Sequence, residues 1–422
     1  MPSPERAGEK AGATKFRRDF SWTLGANIFY AACQWLMLSV LARACPTAEV
    51  GLFSLGLAIT APILMFSNLQ LRNVQATDAR ARFEFKEYLT LRLATTGVAL
   101  LAILFFAAVQ PRQALAVVLV VGLSKCFESV SDVLQGYLQQ REHMVTIARS
   151  MILKGLLSIA LVIFAVSRYR SALAAAFALA AGSLAVLLFY DWPVTGKLHV
   201  ESSGRSSATL RLLPLAWLAL PLGIVQGLIS LSVNIPRYYL ERYAGASELG
   251  IFSALMAFIV VGQTAVNALG NVASPRLAQY FAARRLGDFS ALLLKIGGTG
   301  AALGVLGVAT ALWFGRPILL LLFGPAYAAY QPVLVLVMVA GAVAYVAWLT
   351  GYALTAAQVF RSQIPMLAAV CLASWWASFR LIPVHGIRGA AFAAIAAMGV
   401  QSIAAVLLLS FTLNRHANPA SA

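Results

Sequence analysis

Charge is what this sequence has least of. Only 11% of its 422 residues are Asp, Glu, Lys or Arg, and 15 acids stand against 32 basic residues. A soluble globular chain of this length could not hide the surface implied by 60% hydrophobic residues, so that class is excluded. Histidine and cysteine are equally scarce, at four each. His143, His199, His385 and His416 lie far apart, and no Cys/His pair has ligand spacing, so no metal or cofactor is expected. Cys33, Cys126 and Cys371 fall in apolar runs and Cys45 in a tight turn, which excludes a disulfide framework. Long polar segments are missing too, leaving no room for a soluble domain.

What is there is a series of apolar runs of about 20 residues, each long enough to cross a hydrocarbon core of about 30 Å. They predict spans near 20–42, 50–70, 88–109, 113–134, 147–166, 171–190, 213–235, 249–271, 291–313, 332–355, 364–382 and 389–411. Each must be helical, because in lipid every backbone group has to bond within its own segment. The expected architecture is an all-α polytopic membrane protein of about 12 transmembrane helices. The expected divisions are a tail at 1–19, a six-helix bundle at 20–190, a polar linker at 191–212, a second bundle at 213–411 and a tail at 412–422. The basic N-terminal tail is too mixed for a signal peptide, so the first run reads as a permanent anchor.

The net charge of +17 does not point to nucleic acid, because the cations are spread over alternate short loops. Arg72, Lys86, Arg141, Arg149, Arg276 and Arg285 share a side with the N-terminal tail, as do Arg80, Arg205 and Arg361. Fewer cations, among them Arg43, Arg112, Arg170, Arg237 and Arg316, fall on the other. This asymmetry predicts that both termini face the cytoplasm.

One stretch returns. Leu41–Ser54 (LARACPTAEVGLFS) aligns without gaps to Leu240–Ser253 (LERYAGASELGIFS), matching Leu41, Arg43, Glu49, Gly51, Phe53 and Ser54 to Leu240, Arg242, Glu248, Gly250, Phe252 and Ser253. Arg92–Gly97 similarly matches Lys295–Gly300. Two pseudo-symmetric bundles follow, with function expected where they face each other. The repeated Arg and Glu are expected to fix the turns, since Glu at a helix start meets the positive end of its dipole. Pro214, Pro221, Gly223 and Pro236 mark a helix that bends.

Polar groups inside the spans are the candidate site. Lys125, Glu128 and Asp132 sit three and four apart on one helix face. Either Lys125 lines a cavity with Glu128 as a titratable partner, or the two neutralise each other and Asp132 is in water. Arg92 and Lys295 occupy equivalent places in the halves, and either snorkel to the surface or flank a cleft suited to a phosphate-bearing cargo. Lys154 is similar but unpaired. Asn27, Gln34, Asn68, Gln226, Gln263 and Asn267 either contact sugars or bond helix to helix. Tyr345, Trp348 and Tyr352 present rings for stacking or interface anchoring.

Four stretches carry a family resemblance: EVGLFSLGLAI, SPRLAQYFAARRLGDFSALLLK, LLLLFGPAYAAYQPVLVL and GIRGAAFAAIAA. With them the chain resembles the oligosaccharide (O-antigen type) flippases of the polysaccharide transporter family, in the superfamily that also holds multidrug and toxin extrusion (MATE) transporters. The motifs mark the fold rather than the substrate. The resemblance implies two MATE-like bundles moving undecaprenyl-pyrophosphate-linked oligosaccharide from the cytoplasmic to the periplasmic leaflet of the bacterial inner membrane. It implies a cationic site, for which Arg92, Lys125 and Lys295 are the matching candidates, with Glu128 for ion coupling. Its partners would be the lipid-linked oligosaccharide, membrane lipids, and the polymerase and glycosyltransferases of the same pathway. A multidrug antiporter would carry acids deep in the N-terminal half, and a membrane polymerase or ligase would need a substantial outward loop. Neither feature is prominent here.

Overall fold

The computed structural model describes residues 4–78, 82–200, 211–359 and 362–417. The middle of the expected linker, the end of the C-terminal tail, Arg80, Arg205 and Arg361 lie outside the described residues. No strand occurs among those described. The helices are α1 (Pro4–Ala44), α2 (Thr47–Ser67), α3 (Leu71–Thr77), α4 (Phe85–Ala108), α5 (Arg112–Gln140), α6 (Met144–Tyr169), α7 (Ala172–Val186), α8 (Trp192–Val200), α9 (Leu212–Ala282), α10 (Leu286–Leu322), α11 (Pro325–Ala328), α12 (Gln331–Ala356) and α13 (Gln363–Ala417).

Among the described residues, ten helices are long and apolar enough to cross a membrane. Two of them, α9 and α13, are broken by a glycine with φ 84° at Gly245 and φ 56° at Gly386. Each break falls between two of the spans expected from hydropathy. Positive φ is open to glycine at no steric cost, so the chain turns there while hydrogen bonding continues on both sides.

The chain divides into two compact units, Met1–Val40 with Ser67–Gly223, and Leu41–Phe66 with Ile224–Ala422. Most of α2 groups with the second unit and the start of α9 with the first.

In the first unit α5 is central, packing against α3, α4, α6 and α7. Leu69 and Gln70 adopt positive φ and turn the chain sharply into α3. A plug of Leu69, Leu71, Tyr88, Leu91, Val133 and Leu215 then fixes α3, α4 and α5 to the start of α9. Glu84 and Glu87 form a capping box on α4, satisfying backbone donors that an isolated helix start leaves open. Buried Glu87 also accepts from the Arg211 backbone N–H at 2.6 Å, which pins the far end of the linker. After α7 the chain makes one π-helical turn, Leu187–Asp191, before continuing into α8. Asp191, placed by sequence at the head of the linker, is therefore buried inside a continuous helical run.

In the second unit the sequence repeat becomes a contact. A Cβ on Gly51 would collide with the Ala246 carbonyl, and one on Gly250 with the Thr47 carbonyl. Thr47 and Ala246 are equivalent positions in the repeat, so the crossing is reciprocal, as a twofold relation requires. Thr47 and Ser247 hydroxyls meet beside it at 2.5 Å. Two prolines leave carbonyls without a helical donor, and hydroxyls cover both. Tyr238 donates to Ala58, four residues before Pro62. Ser374 donates to Ser232, four residues before Pro236, at 2.8 Å. The repeated turns are held by distant partners: Arg43 donates to the Leu321 carbonyl, and Glu248 accepts from the Tyr330 hydroxyl at 2.9 Å.

Candidate functional site

The densest polar chemistry lies inside the first unit, along one helix. On α5, Lys125, Glu128, Ser129, Asp132, Gln135 and Gln139 recur at helical spacing, which stacks them over roughly 21 Å at 1.5 Å per residue. Neighbouring helices answer each in turn.

Arg92 on α4 is fully buried. Its Nη2 donates to Asp132 Oδ2 at 3.2 Å and its Nη1 to Asn68 Oδ1 at 2.5 Å. Ser129 holds the same Asn68 oxygen at 2.5 Å. Arg92 does not snorkel, because a carboxylate and an amide oxygen meet it where it stands. Asp132 is not simply in water either: Arg72 approaches its other oxygen at 3.4 Å. One carboxylate is thus shared by two guanidinium groups.

From Arg72 the network continues across the unit. Arg72 Nη1 donates to Gln135 Oε1 at 3.0 Å, and Gln135 Nε2 to Ser150 on α6 at 3.1 Å. Ser150 donates to Asp191 Oδ1 at 2.6 Å. Ser131 donates to the other Asp191 oxygen, and Lys154 reaches Ser131 at 2.7 Å and Asp191 at 3.8 Å. Lys154, unpaired in the sequence analysis, therefore has a carboxylate partner. A fully buried acid is tolerated here because two hydroxyls and an ammonium surround it. The π-helical turn ends at Asp191, within the stretch that delivers this carboxylate.

Lys125 and Glu128 stand apart from that chain. Their side chains are 25% and 21% exposed, and Lys125 Nζ lies 2.8 Å from Glu128 Oε2. Ser183 on α7 donates to the second Glu128 oxygen at 3.4 Å. Both the local pair and the partly open position expected of a cavity group are therefore present at once.

The other sequence candidates are scattered. Asn27 is exposed and donates to Thr23 of its own helix at 2.7 Å. Gln34 donates to the Tyr30 hydroxyl at 2.7 Å, and only Asn68 joins the charged network. In the second unit Lys295 is exposed on α10, so it does not repeat the environment of Arg92. Gln226 is half-buried on α9, and Asn267 accepts from the Tyr352 hydroxyl at 3.4 Å. Gln263 and Trp348 line a cavity within the second unit, while Tyr345 is buried and donates to the Ile259 carbonyl at 3.1 Å. No group of three metal-ligating side chains occurs among the described residues.

The family described as "Polysaccharide biosynthesis protein" matches residues 16–281, well over half the chain. The chain belongs to that family. It is 27% identical over 382 residues to the capsular polysaccharide biosynthesis protein CapF of Staphylococcus aureus, covering 89% of this chain and 94% of that one. Among solved structures it is similar to an inward-facing multidrug resistance MATE family transporter of the MOP superfamily, with TM-score 0.72 and 12% identity over 92% of this chain and 94% of that one. It is also similar to a MOP superfamily transporter of Pyrococcus furiosus, with TM-score 0.63 and 16% identity over 96% and 95%. These likenesses show the fold: the polysaccharide biosynthesis family member is a multi-pass membrane protein with the architecture of MOP superfamily transporters.

Sequence reasoning about this family member missed Asp191, Arg72 and the Arg92–Asp132 pair. The signal for Asp191 was Lys154, a cation in an apolar span with no acid one turn away, which demanded a partner from another helix. The Asp-Trp-Pro sequence hid it by resembling a helix end.

Proposed function

We propose that this protein translocates undecaprenyl-pyrophosphate-linked oligosaccharide from the cytoplasmic to the periplasmic leaflet of a bacterial inner membrane, by alternating access and with both termini cytoplasmic. The observation that carries the proposal is the charge pairing in the first unit. Glu128 is held by Lys125, Asp191 by Lys154, and Asp132 by both Arg92 and Arg72. An antiporter of cationic drugs needs carboxylates free to exchange a proton for a cation. Acids already neutralised by basic side chains favour an anionic head group instead, and the half-open Lys125 is the cation best placed to meet it.

The family match supports polysaccharide precursors as the cargo class, and the shared transporter fold supports a carrier rather than a polymerase or ligase. Polymerase and glycosyltransferases of the pathway would then supply and consume the cargo. The test is a strain lacking this protein, assayed for the leaflet distribution of lipid-linked repeat units, together with liposomes containing the purified protein. Trapping of repeat units in the cytoplasmic leaflet and protein-dependent flipping are expected. Normal distribution in the deletion strain, or proton-driven export of cationic dyes without lipid movement, would sink it.

A further inference from the structure

Within the second unit, Arg237 borders a cavity and has no acid within ion-pairing distance among the described residues. Arg237 lies in α9 directly after Pro236, and its one hydrogen bond goes from Nη1 to Asn234 Oδ1 at 2.8 Å. Its Nε is buried with no acceptor among the described residues. The Asn234 amide is turned away, its Nδ2 donating to the Ser230 carbonyl at 2.8 Å, so its oxygen stays fixed towards Arg237. A guanidinium carries five N–H donors and keeps its proton, so half-buried Arg237 retains donors beyond the one that Asn234 engages.

The guanidinium borders a cavity of about 240 Å³ whose polar lining includes Ser230, Asn234, Gln263 and Gln401, with Trp348 on one wall. No Asp or Glu lines it among the described residues. The first unit offers the contrast: every buried cation described there, Arg92 and Lys154, has a carboxylate within ion-pairing distance. Arg237 is half-buried, and a charge partly withdrawn from water favours a counter-charge beside it. An anion entering beside Arg237 supplies the missing charge and acceptors, while the amides of Gln263 and Gln401 provide further donors. The space fits a halide or one phosphoryl group and is too small for an oligosaccharide.

We propose that this cavity is an anion-binding site centred on Arg237. The chemistry is shared by two sources, a free inorganic anion and the phosphate of a lipid. The proposal rests on the second unit alone and stands whichever cargo the protein carries.

Purified full-length protein in lipid nanodiscs tests it by thermal unfolding. Sodium chloride and sodium phosphate are titrated against sodium gluconate at matched ionic strength, and undecaprenyl phosphate is titrated in a separate arm. A saturable rise in Tm is expected, with the apparent affinity weakened at least tenfold in Arg237→Gln and several-fold in Gln401→Leu. A response to the inorganic salts assigns the site to a free anion, and a response confined to the lipid arm assigns it to lipid phosphate. If Arg237→Gln does not fold, Arg237→Lys and Gln401→Leu decide: the first keeps the charge but loses the planar fork, the second removes one amide donor, and each is expected to weaken binding several-fold. No response of the wild type to any probe, or variants that respond as the wild type does, would overturn the proposal.

Discussion

Arg92, with no exposure at all, faces Asp132 across 3.2 Å between α4 and α5, while Arg72 holds the other oxygen of the same carboxylate at 3.4 Å. Breaking such a pair from one side leaves a buried charge without compensation, at a cost of about 3–5 kcal/mol. Asp132→Leu strips fully buried Arg92 of its carboxylate and is therefore expected to lower the Tm of the purified protein sharply. Adding Arg92→Met is expected to restore part of the loss, which a double-mutant cycle measures directly.

Lys125 calls for a different outcome. Its pair with Glu128 is partly open, so losing it costs less than losing a fully buried pair. Lys125→Gln should lower Tm less than Asp132→Leu does while reducing polysaccharide export. Normal export by this variant would remove Lys125 from the cargo site.

Asp191→Asn removes the counter-charge of Lys154 and is expected to destabilise by a similar few kcal/mol as Asp132→Leu. Lys154→Met in the same chain should recover stability. Unfolding curves of the two single variants and the double variant give the coupling.

The reciprocal crossing of Gly51 and Gly250 admits no side chain, because the obstacle on each side is backbone. Gly51→Ala or Gly250→Ala should cost about 1–3 kcal/mol or more through overpacking. Gly97→Ala and Gly297→Ala, where nothing lies within 4 Å, should be neutral or slightly stabilising. Expression level and Tm of the four variants provide the comparison.

Asp78, just beyond the end of α3, provides an acid-sensitive contact. Burial alone raises its carboxyl, but hydrogen bonds from the backbone N–H groups of Arg82 and Phe83, with the Arg82 guanidinium, outweigh this and hold it below the usual carboxylate range. A depressed folded-state value means stability that is fully present above about pH 4 and lost as pH falls through the lower folded value. Asp78→Asn should flatten the acid limb of a Tm against pH profile and leave the neutral region lower by a constant amount.

Much of the fold was legible because hydropathy is a local property. Lipid forces each apolar run into a helix, so length and composition alone set the spans, and the repeat around Gly51 and Gly250 was visible as matching letters. Even the breaks at Gly245 and Gly386 fall where hydropathy placed boundaries. The site was less legible. Equivalent letters did not imply equivalent surroundings: Arg92 is buried against Asp132, whereas Lys295, its counterpart in the repeat, is exposed.

The amino-acid sequence by itself determined a helical, membrane-embedded, internally repeated chain whose apolar runs hold more cations than acids. Only the tertiary structure decided which charges meet, joining Arg92 to Asp132, Lys154 to Asp191, and Arg237 to the Asn234 amide oxygen. The reason is physical. Helix formation is settled by neighbours along the chain, but an ion pair between helices depends on rotation and register, and the π-helical turn before α8 shifts both within a single turn.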